Sequence, residues 1–329
     1  MSAPTLATLT GGGLIWDNHA CMPLRPDDYV FLPELDTCRS AGIDIVTLNV
    51  GFGVMTIKDH ISMLATFRRW VRQHPETLTL VGTAADVVQA KQEKRLGICF
   101  DIEGMSALEG RIEMVSLYYD LGVRWMLGTY NIANDAAGGC LDQEDKGLTA
   151  FGRAVITEMN RVGMVVCGTH TGYRSAREMI DLSSQPTIFS HSNPRGAWDH
   201  PRNIPDDLMQ ACAARGGVIG LNGIGLFLGA NDTRTETFVK HVDYALDLVG
   251  EDHVGIALDY VFDEGEMNAY FAANRAAFPP SLGFVDGIAM IPPSQLLEIG
   301  EALATRYPSG TLAKLFGGNH LRIAQQVWR

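Results

Sequence analysis

The chain has 329 residues, 46% of them hydrophobic and 19% charged, a balance that supports a large buried core and excludes extended disorder. Its formal net charge of −12 has the wrong sign for gripping nucleic acid or an anionic membrane surface, both of which need clustered Lys and Arg. The cysteines at positions 21, 38, 99, 140, 167 and 212 show no C-x-x-C spacing, so a reduced, cytoplasmic setting is expected, and neither a signal peptide nor a membrane-length apolar window is read.

Short apolar runs that end in a polar residue recur along the chain, each followed by a stretch of helical periodicity. Eight are predicted as strands: 14–19, 43–49, 96–103, 123–130, 163–170, 186–191, 217–222 and 253–259. Several are apolar nearly throughout, as strands covered on both faces must be. Between them the spacing predicts helices over 61–73, 106–121, 148–161, 175–182, 205–215 and 236–249. The fifth of these follows Asn203 and carries Asp206 and Asp207 in its first turn, where the helix dipole favours negative charge.

Eight strand-then-helix units predict an α/β chain folded as one (β/α)8 barrel over 1–329, for which about 250 residues suffice. An open doubly wound sheet uses the same alternation. The surplus falls before position 14, in the second unit, and in a segment at 260–293 rich in Phe, Pro and Gly, expected to serve as a lid or a dimer interface.

In a barrel the active site forms at the C-terminal ends of the strands, so the last residues of the eight runs should converge. They include His19, Glu103, His170, His191 and Asp259. Imidazole and carboxylate together suit zinc and related divalent ions. A single buried histidine is more often a satisfied core residue than a ligand, but three at the same place in the same motif argue for a site. His60, His74, His200, His241, His253 and His320 fall in predicted helices, loops or a strand start, where structural roles are expected for most of them.

At these residues the chain resembles the membrane (renal) dipeptidases, metallopeptidase family M19, a branch of the amidohydrolase-like barrels. The resemblance runs from Asp17 to about Arg322 on ordered motifs: DNHAC, DIEGM, GVRWMLGTYNIAND, EMNRVGMVV followed by THTG, PTIFSHSNPRG, RNIPDDLMQ, HVGIALDY and GGNHLRI. It implies that His19 belongs to a His-x-Asp ligand pair, that Glu103 bridges two zinc ions, and that His170 and His191 bind the second. It further implies that Asp259 is the acid/base, that Arg202 pairs with the substrate's terminal carboxylate, and that the chain forms a homodimer.

Two positions depart from the pattern. Cys21 stands where the family has the Asp of its His-x-Asp pair, and Tyr130 where it has a His that polarises the scissile carbonyl. A thiolate can bind zinc, leaving three readings: two zinc ions with Cys21 as a ligand, one ion held by Glu103, His170 and His191, or a site weakened past catalysis. Tyr130 can donate a hydrogen bond to a developing oxyanion or reshape the site for a different substrate. The expected function is a zinc-dependent hydrolase of a dipeptide or dipeptide-like amide with a free carboxylate. The alternatives are a one-metal amidohydrolase of a non-peptide metabolite and a weakened homologue. No dinucleotide fingerprint, P-loop, H-E-x-x-H helix or G-x-S-x-G elbow is present, so no cofactor beyond the metal is expected.

Overall fold

A computed structural model describes residues 4–285 and 287–329; Asp286, inside the predicted 260–293 insertion, and the first three residues lie outside the described residues. Ten strands form one parallel sheet: β1 (Trp16–Cys21), β2 (Ile45–Phe52), β3 (Leu78–Leu80), β4 (Leu96–Glu103), β5 (Val123–Leu127), β6 (Val165–Cys167), β7 (Ile188–Phe189), β8 (Val218–Leu221), β9 (Val254–Ile256) and β10 (Tyr260–Val261). All eight predicted runs are among them. The additions are β3, which pairs the start of β4, and β10.

The ladder runs β10-β1-β2-β4-β5-β6-β7-β8-β9. Its two ends are successive in the chain, so the last run serves both edges: β9 pairs β8 while β10 pairs β1. The Asp259 amide donates to the His19 carbonyl at 2.9 Å and the Phe262 amide to the Cys21 carbonyl at 3.0 Å. The sheet thus closes as a barrel, and the open doubly wound alternative is excluded.

Side-chain alternation decides which residues face the barrel axis. Along β2 and β4, Val46, Leu48, Phe100 and Ile102 pack outward against the helices, whereas Ile45 and Cys99 join Trp16, Trp125, Val165 and Val218 inside. The same parity turns Thr47, Asn49, Asp101 and Glu103 inward, toward the upper end. β4 is buried along its whole length, which an apolar strand covered on both faces requires.

Five predicted helices form with shifted ends, at Ile57–Gln73, Ala150–Val162, Tyr173–Leu182, Asp206–Ala214 and Thr235–Val249. The predicted helix over 106–121 does not run continuously. It divides into a 3-10 turn, Met105–Leu108, and a helix, Met114–Asp120, because Glu109 and Gly110 take φ of 47° and 74°, which no right-handed helix accommodates. Helices at Ala84–Gln92, Glu264–Ala273, Leu296–Ala304 and Asn319–Val327 were not predicted. Among the described residues no helix is long and apolar enough to cross a membrane.

Helix Asn319–Val327 closes the lower end of the barrel, with Ile323, Ala324 and Val327 joining the interior cluster. His320 enters there, its Nε2–H donating to the Ile256 carbonyl at 3.3 Å. Its ring fills the space that a side chain at Gly255 would need. Burial drives its pKa down from 6.5 to about 4, so it is neutral in the fold and binds a proton only on unfolding. Stability from this group is therefore fully present above pH 6.5 and lost as pH falls toward 4, by up to about 3 kcal/mol. Denaturant titrations across that range are expected to show a shallower decline for His320→Leu than for the parent chain.

Candidate metal centre and cleft

All five strand-end residues meet at the upper mouth. Several lie just beyond the ladders: β6 ends at Cys167 and β7 at Phe189, and the chain then bends to deliver His170 and His191. His170 and Asp259 reach their positions with φ of 63° and 58°, a left-handed conformation that costs a non-glycine residue of order 1 kcal/mol or more and concentrates at functional sites.

Glu103 lies at the centre. Its Oε1 is 3.5 Å from His19 Nε2, and its Oε2 is 2.9 Å from His170 Nε2 and 3.6 Å from His191 Nε2. Cys21 Sγ is 3.5 Å from His19 Nε2 and 3.7 Å from Asp259 Oδ1. Three groups present ligand atoms close enough to share an ion: His19, Cys21 and Glu103; Glu103, His170 and His191; and His19, His191 and Asp259. Ligands at 2.0–2.3 Å from a tetrahedral ion stand about 3.3–3.6 Å apart, close to the spacing of the first group. In the second, the Nε2 atoms of His170 and His191 face each other at 3.0 Å.

Each imidazole is oriented through its other nitrogen, as metal-binding histidines commonly are. His19 Nδ1 pairs with Asp101 Oδ2 at 2.5 Å, His170 Nδ1 donates to Asn131 Oδ1 at 2.7 Å, and His191 Nδ1 meets Ser190 Oγ at 3.0 Å. Asp101 is itself held by the Trp125 indole N–H at 3.1 Å. Because its Nδ1 proton goes to Asn131, His170 turns an Nε2 lone pair toward His191 Nε2, and a cation or an N–H donor must meet it. The donor chemistry fits zinc.

Electrostatics agree. Burial holds His170 well below the ordinary imidazole range, helped by Arg202, and holds His191 there too, helped by His19. Burial opposes charge on His19, but Asp101, Cys21 and Glu103 together lift it well above that range. Burial pushes the Glu103 carboxyl up to about 7 and the Cys21 and Tyr130 protons well above their usual values. For Asp259 burial works the other way from the outcome: His191 and His19 hold it ionised, well below the carboxylate range.

Arg202 donates from Nη2 to His170 Nε2 at 2.9 Å, while its Nη1 is buried with no partner. Tyr130, on the loop after β5, stacks on the His170 ring at 4.5 Å and on Phe52 at 4.8 Å. These residues floor an open cleft. Much of its upper wall comes from the 260–293 insertion, through Met267, Tyr270, Phe271, Phe278, Phe284 and Ile288.

Two residues that shape the centre were passed over in the sequence. Asn49 donates to Glu103 Oε1 at 2.9 Å, and Asn222 donates to Asp259 Oδ2 at 2.7 Å while accepting the Ile224 amide on its Oδ1. Both end predicted runs, but a neutral amide at a strand end carries no metal-binding signal of its own.

Residues 41–269 match the family model of the membrane dipeptidases, peptidase family M19. Over 205 residues the chain is 29% identical to an uncharacterized dipeptidase of Schizosaccharomyces pombe, covering 61% of this chain and 50% of that protein. It spans about half the length of the fission-yeast relatives it matches. A solved amidohydrolase from Pseudomonas aeruginosa superposes with a TM-score of 0.88 over 99% of both chains at 24% identity. A Rhodobacter sphaeroides metallopeptidase, solved with a phosphinate mimic of the dipeptide L-Ala-D-Ala, superposes with a TM-score of 0.79 over 96% of this chain and 99% of that one, at 18% identity. These likenesses at low identity speak for the barrel, and the sequence match over most of the chain speaks for the lineage: the chain belongs to peptidase family M19, the membrane dipeptidases.

Proposed function

We propose that the chain is a zinc-dependent dipeptidase that cleaves a dipeptide or dipeptide-like amide bearing a free carboxylate. The observation that carries this reading is the split of Glu103, one oxygen toward His19 and Cys21 and the other toward His170 and His191, as a carboxylate bridging two ions requires. In this reading His19, Cys21 and Glu103 hold one zinc, and Glu103, His170 and His191 hold the other. Bound there, zinc supplies Lewis acidity that polarises the scissile carbonyl and makes water a nucleophile near neutral pH.

The remaining steps belong to side chains. Asp259 takes the proton of the attacking water on Oδ1 and passes it to the leaving amine, with Asn222 fixing Oδ2. Arg202 turns its unpartnered Nη1 to the substrate carboxylate, a task suited to a guanidinium fork. Tyr130 donates its hydroxyl proton to the oxyanion and remains a donor at all working pH values, because burial keeps it protonated. Residues 1–329 work as a single barrel domain, with 260–293 as the lid over its cleft. Six unpaired cysteines support a reducing, cytoplasmic setting, and the homodimer rests on family resemblance.

Elemental analysis after zinc reconstitution is expected to give two ions per chain, falling to about one in Cys21→Ala and staying near two in Cys21→Asp. One ion in the parent chain would move the reading to a single-metal hydrolase, and none would overturn it. Asp259→Asn is expected to lower kcat by 10²- to 10⁴-fold in dipeptide hydrolysis assays. In Arg202→Met, KM is expected to rise at least tenfold. Amidating the substrate carboxylate should cost the parent enzyme a similar factor and the variant little, and equal losses in both would rule out the assigned contact.

A further inference from the structure

Resting on the dipeptidase reading, we infer that the substrate residue carrying the free carboxylate has a large apolar side chain, aromatic or branched aliphatic, received by a wall built from Phe227, Phe278 and Phe284. In that reading Arg202 holds the substrate carboxylate. Its guanidinium lies over the Phe227 ring at 5.1 Å. Its backbone amide donates to His200 Nδ1 at 3.1 Å, which puts the imidazole proton on Nε2, and Nε2 donates to the Leu282 carbonyl of the insertion, also at 3.1 Å. One neutral imidazole thus ties the carboxylate-binding arginine to the segment that carries Phe284. The His200 ring itself packs 5.0 Å from Phe227 and 6.1 Å from Phe284.

The wall continues from there to the metal centre. Phe284 meets Phe278 at 5.2 Å, Phe278 meets Tyr130 at 5.9 Å, and Tyr130 stacks on His170. A substrate with its carboxylate on Arg202 and its scissile carbonyl beside Glu103 and His170 has only one α-carbon between those two points. The side chain on that carbon therefore meets this arc. Apart from Arg202, the arc offers no charge. The other acids lining the cleft, Asp263 and Glu266, are paired with Arg25. A charged side chain would find no partner there, and glycine or alanine would leave wet the half-buried faces of Tyr130 and Phe271, which pack on Phe278, so the apolar residue is selected.

The test compares kcat/KM of the zinc-reconstituted protein on alanyl dipeptides ending in Phe, Leu, Gly, Ala or Asp, and measures calorimetric binding of 3-phenylpropanoate against propanoate, which cannot be hydrolysed. At least a tenfold preference for Phe and Leu over Gly and Asp is expected. In Phe284→Ala that ratio should fall at least fivefold; Phe284→Leu serves where the alanine variant does not fold, and a ratio within one preparation does not depend on its active fraction. Cleavage with no preference among C-terminal residues overturns the inference and leaves the dipeptidase reading standing. No cleavage of any dipeptide, with 3-phenylpropanoate bound at least tenfold more tightly than propanoate, overturns the activity and supports the apolar pocket. Equal binding of the two acids without cleavage overturns both.

Discussion

Three imidazoles, three carboxylates and a thiol, contributed by Asp101, Glu103, Asp259, His19, His170, His191 and Cys21, occupy the top of a barrel where water is largely excluded. Isolated charges cannot persist in such a place, because desolvation exceeds anything a single neighbour returns. Most charged or polar atoms there therefore face a complementary one, and much of the local architecture follows from that demand. The bulge between Asp17 and Ala20 in β1, the left-handed turns at His170 and Asp259, and the asparagines within β2 and just past β8 aim side chains at one another.

A layer behind the ligand atoms keeps this arrangement from relaxing. His19 leans on Asp101, which leans on the Trp125 indole; His170 leans on Asn131; Asp259 leans on Asn222, whose own carbonyl is held by the Ile224 amide. These partners fix ring orientation and tautomer. They leave three Nε2 atoms within 3.6 Å of the Glu103 carboxylate, a geometry that an apolar core has no use for and a divalent cation fits.

Cys21, proposed as a zinc ligand in place of the carboxylate that the family resemblance implies, fits the same frame. Sulfur is larger and softer than oxygen, yet Sγ stands 3.5 Å from His19 Nε2, close to the spacing of nitrogen and sulfur ligands on a tetrahedral zinc ion. Tyr130 stacks on the His170 ring and meets Phe278, joining the histidine cluster to the aromatic roof contributed by the insertion. The proposed chemistry below and the proposed selectivity above thus meet at one side chain.

By itself the sequence determined eight strand-then-helix units and placed His19, Glu103, His170, His191 and Asp259 at the ends of their strands, because alternation and strand ends are local properties written in neighbouring residues. Both β3 and β10 are too short to give a period, and the break at Glu109 and Gly110 depends on backbone angles that composition does not reveal. Whether the sheet closes was decided only in three dimensions, by backbone bonds from 259 and 262 to β1. So were the sharing of Glu103 between two donor groups, the roles of Asn49 and Asn222, and the placing of His200 between Arg202 and Leu282. Each of these joins residues tens to hundreds of positions apart, and no local pattern carries a distance of that kind.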